Sequence, residues 1–120
     1  MSRNRYKRAG ADNQLIKQCT YDVRALEEDI VDISEVLKMA GNTTRLKILF
    51  LIYQEEKMCP TDIGQILEMT VPAVSQQLKK LKASGILYDE QVGQTIYYSI
   101  NENRGRVLVP ILNRLIALNY

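Results

Sequence analysis

The stretch Pro60-Thr61-Asp62-Ile63-Gly64-Gln65-Ile66-Leu67-Glu68-Met69-Thr70-Val71-Pro72-Ala73-Val74-Ser75-Gln76-Gln77-Leu78-Lys79-Lys80-Leu81 decides the fold. Its apolar spacing predicts two short helices joined by a tight turn. Ile63, Ile66 and Leu67 give the first helix a buried stripe; Ala73, Val74, Leu78 and Leu81 give one to the second. Pro60 and Pro72 each fall in a first helical turn, where the missing N–H is not needed. Glu68-Met69 makes the turn, Thr70 caps the second helix and Gly85 stops it. Val71, Pro72, Ser75, Gln76, Lys79 and Lys80 then lie largely opposite the apolar stripe. Glutamine pairs bidentately with adenine, serine bonds several bases, and lysine reaches guanine or phosphate. Thr70 and the peptide N–H groups at the helix start suit a phosphate. A helix pair of this shape also serves in protein-binding folds, but the polar run from Ser75 to Lys80 and the hairpin that follows favour a reader of double-stranded DNA. Specificity is expected to rest on Ser75, Gln76 and Gln77.

Downstream, Ile86-Leu87-Tyr88 reads as a strand, Gly93 as a turn and Thr95 to Ile100 as the returning strand. Asp89 to Gln94 is read as the tip of this wing. It holds two acids and no base, so only a small contribution to DNA binding is expected, through Gln94 or Thr95. Upstream, Ile33, Val36, Leu37 and Ala40 predict an amphipathic helix capped by Asp32 or Ser34 and ended by Gly41. Asn42 or Thr43 caps a central helix rich in Leu46, Ile48, Leu49, Phe50 and Ile52. Residues 14–29 hold a poorly defined helix, and residues 1–13 are expected to be a flexible basic arm. From about Arg104 to Leu118, the stripe Leu108, Ile111, Leu112, Leu115 and Ile116 predicts a terminal helix that packs on its own core or, the favoured reading, forms a dimer interface, with Pro110 in its first turns. The expected fold is mainly α with a β-hairpin, a dimeric winged helix-turn-helix over residues 14–120.

Composition sets broad limits. The 120 residues carry a net charge of only +2, 46% hydrophobic and 25% charged residues, as in one globular domain. Charge distribution says more than the net value. Arg3, Arg5, Lys7 and Arg8 crowd the N-terminus and Lys79, Lys80 and Lys82 the second helix, whereas acids gather between Asp22 and Glu35. No apolar run approaches the roughly 18 residues that span a bilayer, and no apolar stretch follows the basic start, so no membrane partner and a cytoplasmic site are expected. In that compartment Cys19 and Cys59 stay reduced. With no histidine, no phosphate-binding glycine loop and no base beside a nucleophile, an enzyme is not expected.

Three separate stretches resemble one family, the ArsR/SmtB metal-sensing repressors. Leu37 to Leu49 resembles its L-K-A-L-A-D-x-T-R-L-x-I-L segment, Pro72 to Leu81 its reading helix, and Gly93 to Ile100 its wing. The resemblance covers about Ile33 to Leu118. It implies a homodimeric repressor that pairs through its first and last helices and is released from an operator by a metal ion or another inducer.

Cys19 and Asp22 form one C-x-x-D pair, Cys59 and Asp62 another. At this spacing on a helix both side chains point the same way, so two pairs offer two thiolates and two carboxylates to a metal ion. In the resembling family an E-L-C-x-x-D element looks like Lys57 to Asp62, and a cysteine of the other protomer's arm completes the site. The resemblance therefore carries over Cys19, Cys59 and Asp62; Asp22 follows from spacing alone. The chain departs from the four-cysteine pattern at Thr61 and near Leu15. It lacks the family's C-terminal site, having neither Asp nor His between Asn101 and Tyr120. Candidate inducers are thiol-binding ions of the Cd, Pb, Zn, Hg or As class. A dithiol/disulfide switch and a metal-independent regulator stay open. Bonding Cys19 of one subunit to Cys59 of the other is expected to shift the two reading helices out of register with half-sites about one DNA turn apart.

Overall fold

The computed structural model describes residues 12–119. Its elements are α1 (Asn13–Ala25), α2 (Glu27–Ala40), α3 (Thr43–Glu55), α4 (Pro60–Leu67), α5 (Val71–Ala83), β1 (Leu87–Val92), β2 (Thr95–Ile100) and α6 (Val109–Leu118). A 3-10 turn, Arg106–Leu108, leads into α6. The chain divides into two compact units, Met1–Asp32 and Ile33–Tyr120. Of the expected N-terminal arm, residues 1–11 lie outside the described residues.

In the first unit α1 is a regular helix. The Asp12 carboxylate accepts from the Leu15 N–H at 3.0 Å, and Arg24 stands in the last turn, where a cation complements the helix dipole. α2 begins at Glu27, earlier than the expected caps Asp32 and Ser34. Glu27, Glu28 and Asp29 place three acids at its positive end.

The second unit is built around α3. Asn42 caps it through the Arg45 N–H. Ile48, Leu49 and Ile52 are fully buried against Val36, Ile63, Val74, Leu78, Leu81, Ile86, Leu87, Leu108 and Leu112. A central helix with so little amphipathic bias is covered on several sides, as its sequence predicts.

The helix pair forms with the expected punctuation, but of the expected stripe of α4 only Ile63 is buried: Leu67 is half-buried and Ile66 is 51% exposed, because this eight-residue helix packs only one narrow face on the core. Pro60 opens α4, Glu68 ends it in the left-handed conformation (φ 57°), and the Met69 N–H closes onto the Gly64 carbonyl at 2.8 Å. A Cβ at position 64 would lie 2.8 Å from the Met69 carbonyl oxygen, so only glycine lets the turn pass this close. Thr70 then caps α5 through the Ala73 N–H at 3.2 Å, with Pro72 in the first turn.

The hairpin is longer than its sequence suggests. β1 and β2 pair antiparallel from Leu87↔Ile100 to Val92↔Thr95, leaving only Gly93 and Gln94 in the turn. Gly93 has φ 65°, the left-handed start that a two-residue hairpin loop needs. Asp89 and Glu90 therefore sit within β1 and not at the wing tip. Met58 adds a bridge to β2: its N–H bonds the Tyr98 carbonyl at 3.1 Å, and the Tyr98 N–H bonds back at 3.0 Å.

The last helix corrects the expected interface. Leu108, in the 3-10 turn, and Leu112 are 1% and 0% exposed and belong to the core of their own protomer. Ile111 and Leu118 are exposed, while Leu115 and Ile116 are half-buried. Leu115 and Leu118 border an apolar groove with Leu46, Phe50, Leu51 and Leu67.

Candidate nucleic-acid interface and thiol positions

α5 buries Val74, Leu78 and Leu81 and turns Pro72, Gln76, Lys79 and Lys80 outward as one exposed ridge. Spacing explains the division: residues four and three apart share a helix face, and Gln76, Lys79 and Lys80 fall opposite the buried stripe. Thr70 and Val71 are exposed at the N-terminal end, where uncommitted N–H groups favour an anion. Ser75 and Gln77 are half-buried on the two flanks of the ridge. Gln77 already has a partner, since the Arg45 guanidinium donates to its side-chain oxygen at 3.2 Å. That bond occupies one acceptor site of the Gln77 oxygen and fixes which end of the amide turns toward Arg45. Gln94 is exposed at the wing turn.

The cations near α5 divide by role. Lys82 bonds the Asp89 carboxylate at 2.9 Å and ties the end of α5 to the wing. That hydrogen bond, and then the charge of Asp89, hold the Lys82 pKa above its ordinary value. Tyr98 stands opposite Asp89 in the hairpin register. Burial, and then the Asp89 charge, push its phenol up. Of the wing's two acids, Asp89 is thus paired within the protein, while Glu90 is exposed in β1. The Lys57 ammonium, in the connector between α3 and α4, lies 4.9 Å from the centroid of the Tyr97 ring of β2, a cation–π contact.

Two arginines that the motif reading did not single out organise the frame. Arg45 donates from Nε to the Met39 carbonyl at 2.6 Å as well as to Gln77, joining the end of α2 to the middle of α5. Arg104 donates to the Ser84 carbonyl at 2.5 Å and to Glu35 at 3.0 Å. Arg45 was present in the Thr44-Arg45-Leu46 segment of the resemblance, but a side chain reaching 32 residues along the chain leaves no local signature.

The thiols occupy different settings. Cys59 is buried at the N-cap of α4 with no side-chain capping bond, while Asp62, three residues on, is exposed. Cys59 has the extended dihedrals of an N-cap residue (φ −95°, ψ 159°), and Asp62 stands in the first turn of α4. Cys19 is exposed within α1, and Asp22, on the same helix, accepts from the Gln18 amide at 3.0 Å. Among the described residues, no three His, Cys, Asp or Glu side chains gather into a metal-binding group. Among them also, no helix is long and apolar enough to cross a membrane.

Comparison with known proteins agrees with this geometry. A family model described as bacterial regulatory protein, arsR family, matches residues 42–89, from the α3 cap into the wing. The transcriptional repressor PagR of Bacillus anthracis is 35% identical over 89 residues, which cover 74% of this chain and 85% of PagR. The PagR crystal structure aligns with a TM-score of 0.63 at 32% identity, over 72% of this chain and 98% of that one. A cadmium resistance transcriptional regulatory protein, the CadC homolog of Staphylococcus aureus, is 29% identical over 83 residues, 69% of each chain. The transcriptional activator HlyU of Vibrio cholerae is 24% identical over 83% of this chain and 92% of its own. Its solved structure aligns with a TM-score of 0.67 at 25% identity, over 74% of this chain and 96% of that one. The chain belongs to the arsR family of bacterial regulatory proteins and is a winged-helix, DNA-binding transcriptional regulator, not an enzyme.

Proposed function

We propose that the chain is a homodimeric repressor that reads operator DNA with the outer ridge of α5 and is released by a thiol-binding inducer. The observation that carries this reading is the ridge itself: Pro72, Gln76, Lys79 and Lys80 stand exposed on a capped helix whose opposite face buries Val74, Leu78 and Leu81. Gln76 reads base edges in the major groove and Lys79 and Lys80 meet phosphates or guanine. Thr70 and Val71 lie against the phosphate at the helix start. Ser75 and Gln77 contact DNA from the flanks, and Gln94 from the wing. Ile111, Leu115 and Ile116 supply the part of α6 that pairs with a second copy.

The inducer-responsive groups are Cys59 and Cys19, with the Asp62 and Asp22 carboxylates as further donors. The similarity to a cadmium resistance regulator supports a soft or borderline metal ion as inducer. In this reading the donor set draws on two protomers, Cys19 and Asp22 of one with Cys59 and Asp62 of the other. Two thiols without a third soft donor also suit a dithiol/disulfide switch, and one solved relative is described as reduced HlyU.

The test uses fluorescence anisotropy on a DNA site selected from random sequence. Cadmium ion should dissociate the wild-type complex, with a thiolate charge-transfer band rising in parallel. Cys59→Ser and Cys19→Ser should each blunt the release. If neither substitution alters release by metal ion or by oxidant, the thiol reading is wrong, while DNA binding stands or falls on the same titrations without inducer.

A further inference from the structure

We propose that the connector formed by residues 56–59 is a strained latch, which opens as a unit and so controls access to the buried Cys59 thiol. Its regulatory meaning rests on the thiol reading above; the latch itself does not. Glu56 ends α3 with φ 74° and ψ −32°. The other non-glycine residue with positive φ among those described, Glu68, has ψ 47° and falls in the small left-handed helical well. Glu56 falls outside that well, where a Cβ crowds the backbone and glycine alone is at ease.

The strain has a local cause. Glu55 ends α3 and Pro60 opens α4, so residues 56 to 59 must turn the chain between them, and three of these are already committed. Cys59 precedes Pro60, whose ring holds it extended, with ψ 159°. Met58 is tied to Tyr98 by backbone bonds of 3.1 and 3.0 Å. The Lys57 ammonium lies 4.9 Å from the centroid of the Tyr97 ring. The reversal therefore falls on Glu56. Strain of this kind persists only while its surroundings enforce it.

The same contacts keep the thiol shut in. Cys59 is 9% exposed, so a reactant reaches its sulfur only after a local opening. Parting Met58 from Tyr98 frees Glu56 to relax, and that relief offsets part of the cost of the lost bonds. Glu56 and Lys57 are exposed, whereas Ile48 and Ile52 of α3 are fully buried, so the opening is confined to the connector. A conformation that glycine would hold at rest is thus held by glutamate under tension, beside the one buried thiol.

Full-length Cys19→Ser protein, which keeps Cys59 as its single thiol, tests this with dithiobis(nitrobenzoate) in the absence of DNA and metal ion. The Cys59 thiol gives its proton to solvent, and the thiolate attacks the reagent's S–S bond, forming a mixed disulfide and releasing one nitrothiobenzoate. Glu56→Gly removes the strain from the closed state and should slow labelling by roughly three- to thirtyfold. Glu56→Ala keeps a Cβ at this position and should leave the rate within about twofold. Labelling should depend only weakly on urea below the unfolding transition, since a local opening exposes little surface. Unslowed labelling in Glu56→Gly, equal slowing in Glu56→Ala, or a urea slope matching that of global unfolding would overturn the latch. Release of these proteins from selected DNA by cadmium ion reports separately on the thiol reading.

Discussion

Met58 and Tyr98 exchange both of their backbone hydrogen bonds, at 3.1 and 3.0 Å, so the residue before the buried thiol of Cys59 serves as an added strand edge for the wing. Cys59 is also the N-cap of α4, the first helix of the DNA-reading pair. A change at one sulfur thus has two short routes, one into the wing and one into the helix pair. Engagement of Cys59 by cadmium ion should lower hydrogen-exchange protection of the Tyr98 amide while leaving Ile48 and Ile52 protected. Unchanged exchange at Tyr98 on metal binding would disconnect the thiol from the wing.

Arg45 links the end of α2 to the Gln77 side chain of α5. Its bonds to the Met39 carbonyl and the Gln77 side chain are charge-assisted and half-buried. Arg45→Ala should cost about 1–3 kcal/mol in urea melts and reduce the preference for a selected site over random DNA. A variant with unaltered stability and unaltered preference would show that the Gln77 orientation is immaterial.

Neighbours on α6 should separate by role. Leu112 is fully buried and Ile111 exposed. Leu112→Ala should destabilise by about 2–5 kcal/mol through lost burial and a cavity. Ile111→Ala should leave the protomer's stability within about 0.5 kcal/mol and act on self-association, seen as a sedimentation shift at low protein concentration.

Lys82 and Tyr98 predict how the wing responds to alkali. Both pKa values are raised in the folded state, from ordinary values of 10.5 and 10.0. A raised pKa means that the protonated form is favoured on folding. The stability from these groups is therefore complete below the ordinary values and is lost as pH rises through the folded ones. The melting temperature should be insensitive to these groups near neutrality and fall at high pH. The fall should shrink in Tyr98→Phe and in Asp89→Asn. An equal alkaline fall in both variants would remove the Lys82–Asp89–Tyr98 cluster as its cause.

The reading unit was legible in the sequence because its punctuation is local. Pro60, Thr70, Pro72 and Gly93 each state a backbone requirement within a few residues, and the structure places each accordingly. What was not legible depends on distant contacts. Leu112 and Ile111 belong to the same apolar stripe, and only packing tells which faces its own core. The wing tip was placed too early because Asp89 and Glu90 look like turn residues, whereas Lys82 neutralises Asp89 inside the strand. Burial of Cys59 depends on the fold around an N-cap, which residue spacing cannot express. The first helix is poorly marked in the sequence because α1 buries none of its residues, so no core-facing stripe defines it.

The central claim is that the outer ridge of α5 reads bases through Gln76 and binds the backbone through Lys80. It is tested most directly by measuring Kd for a selected site and for random DNA across a salt series. Gln76→Ala should lose about 1–3 kcal/mol on the selected site and little on random DNA. Lys80→Ala should weaken both and lower the salt slope by about one unit. Equal loss on both DNAs for Gln76→Ala would contradict the account.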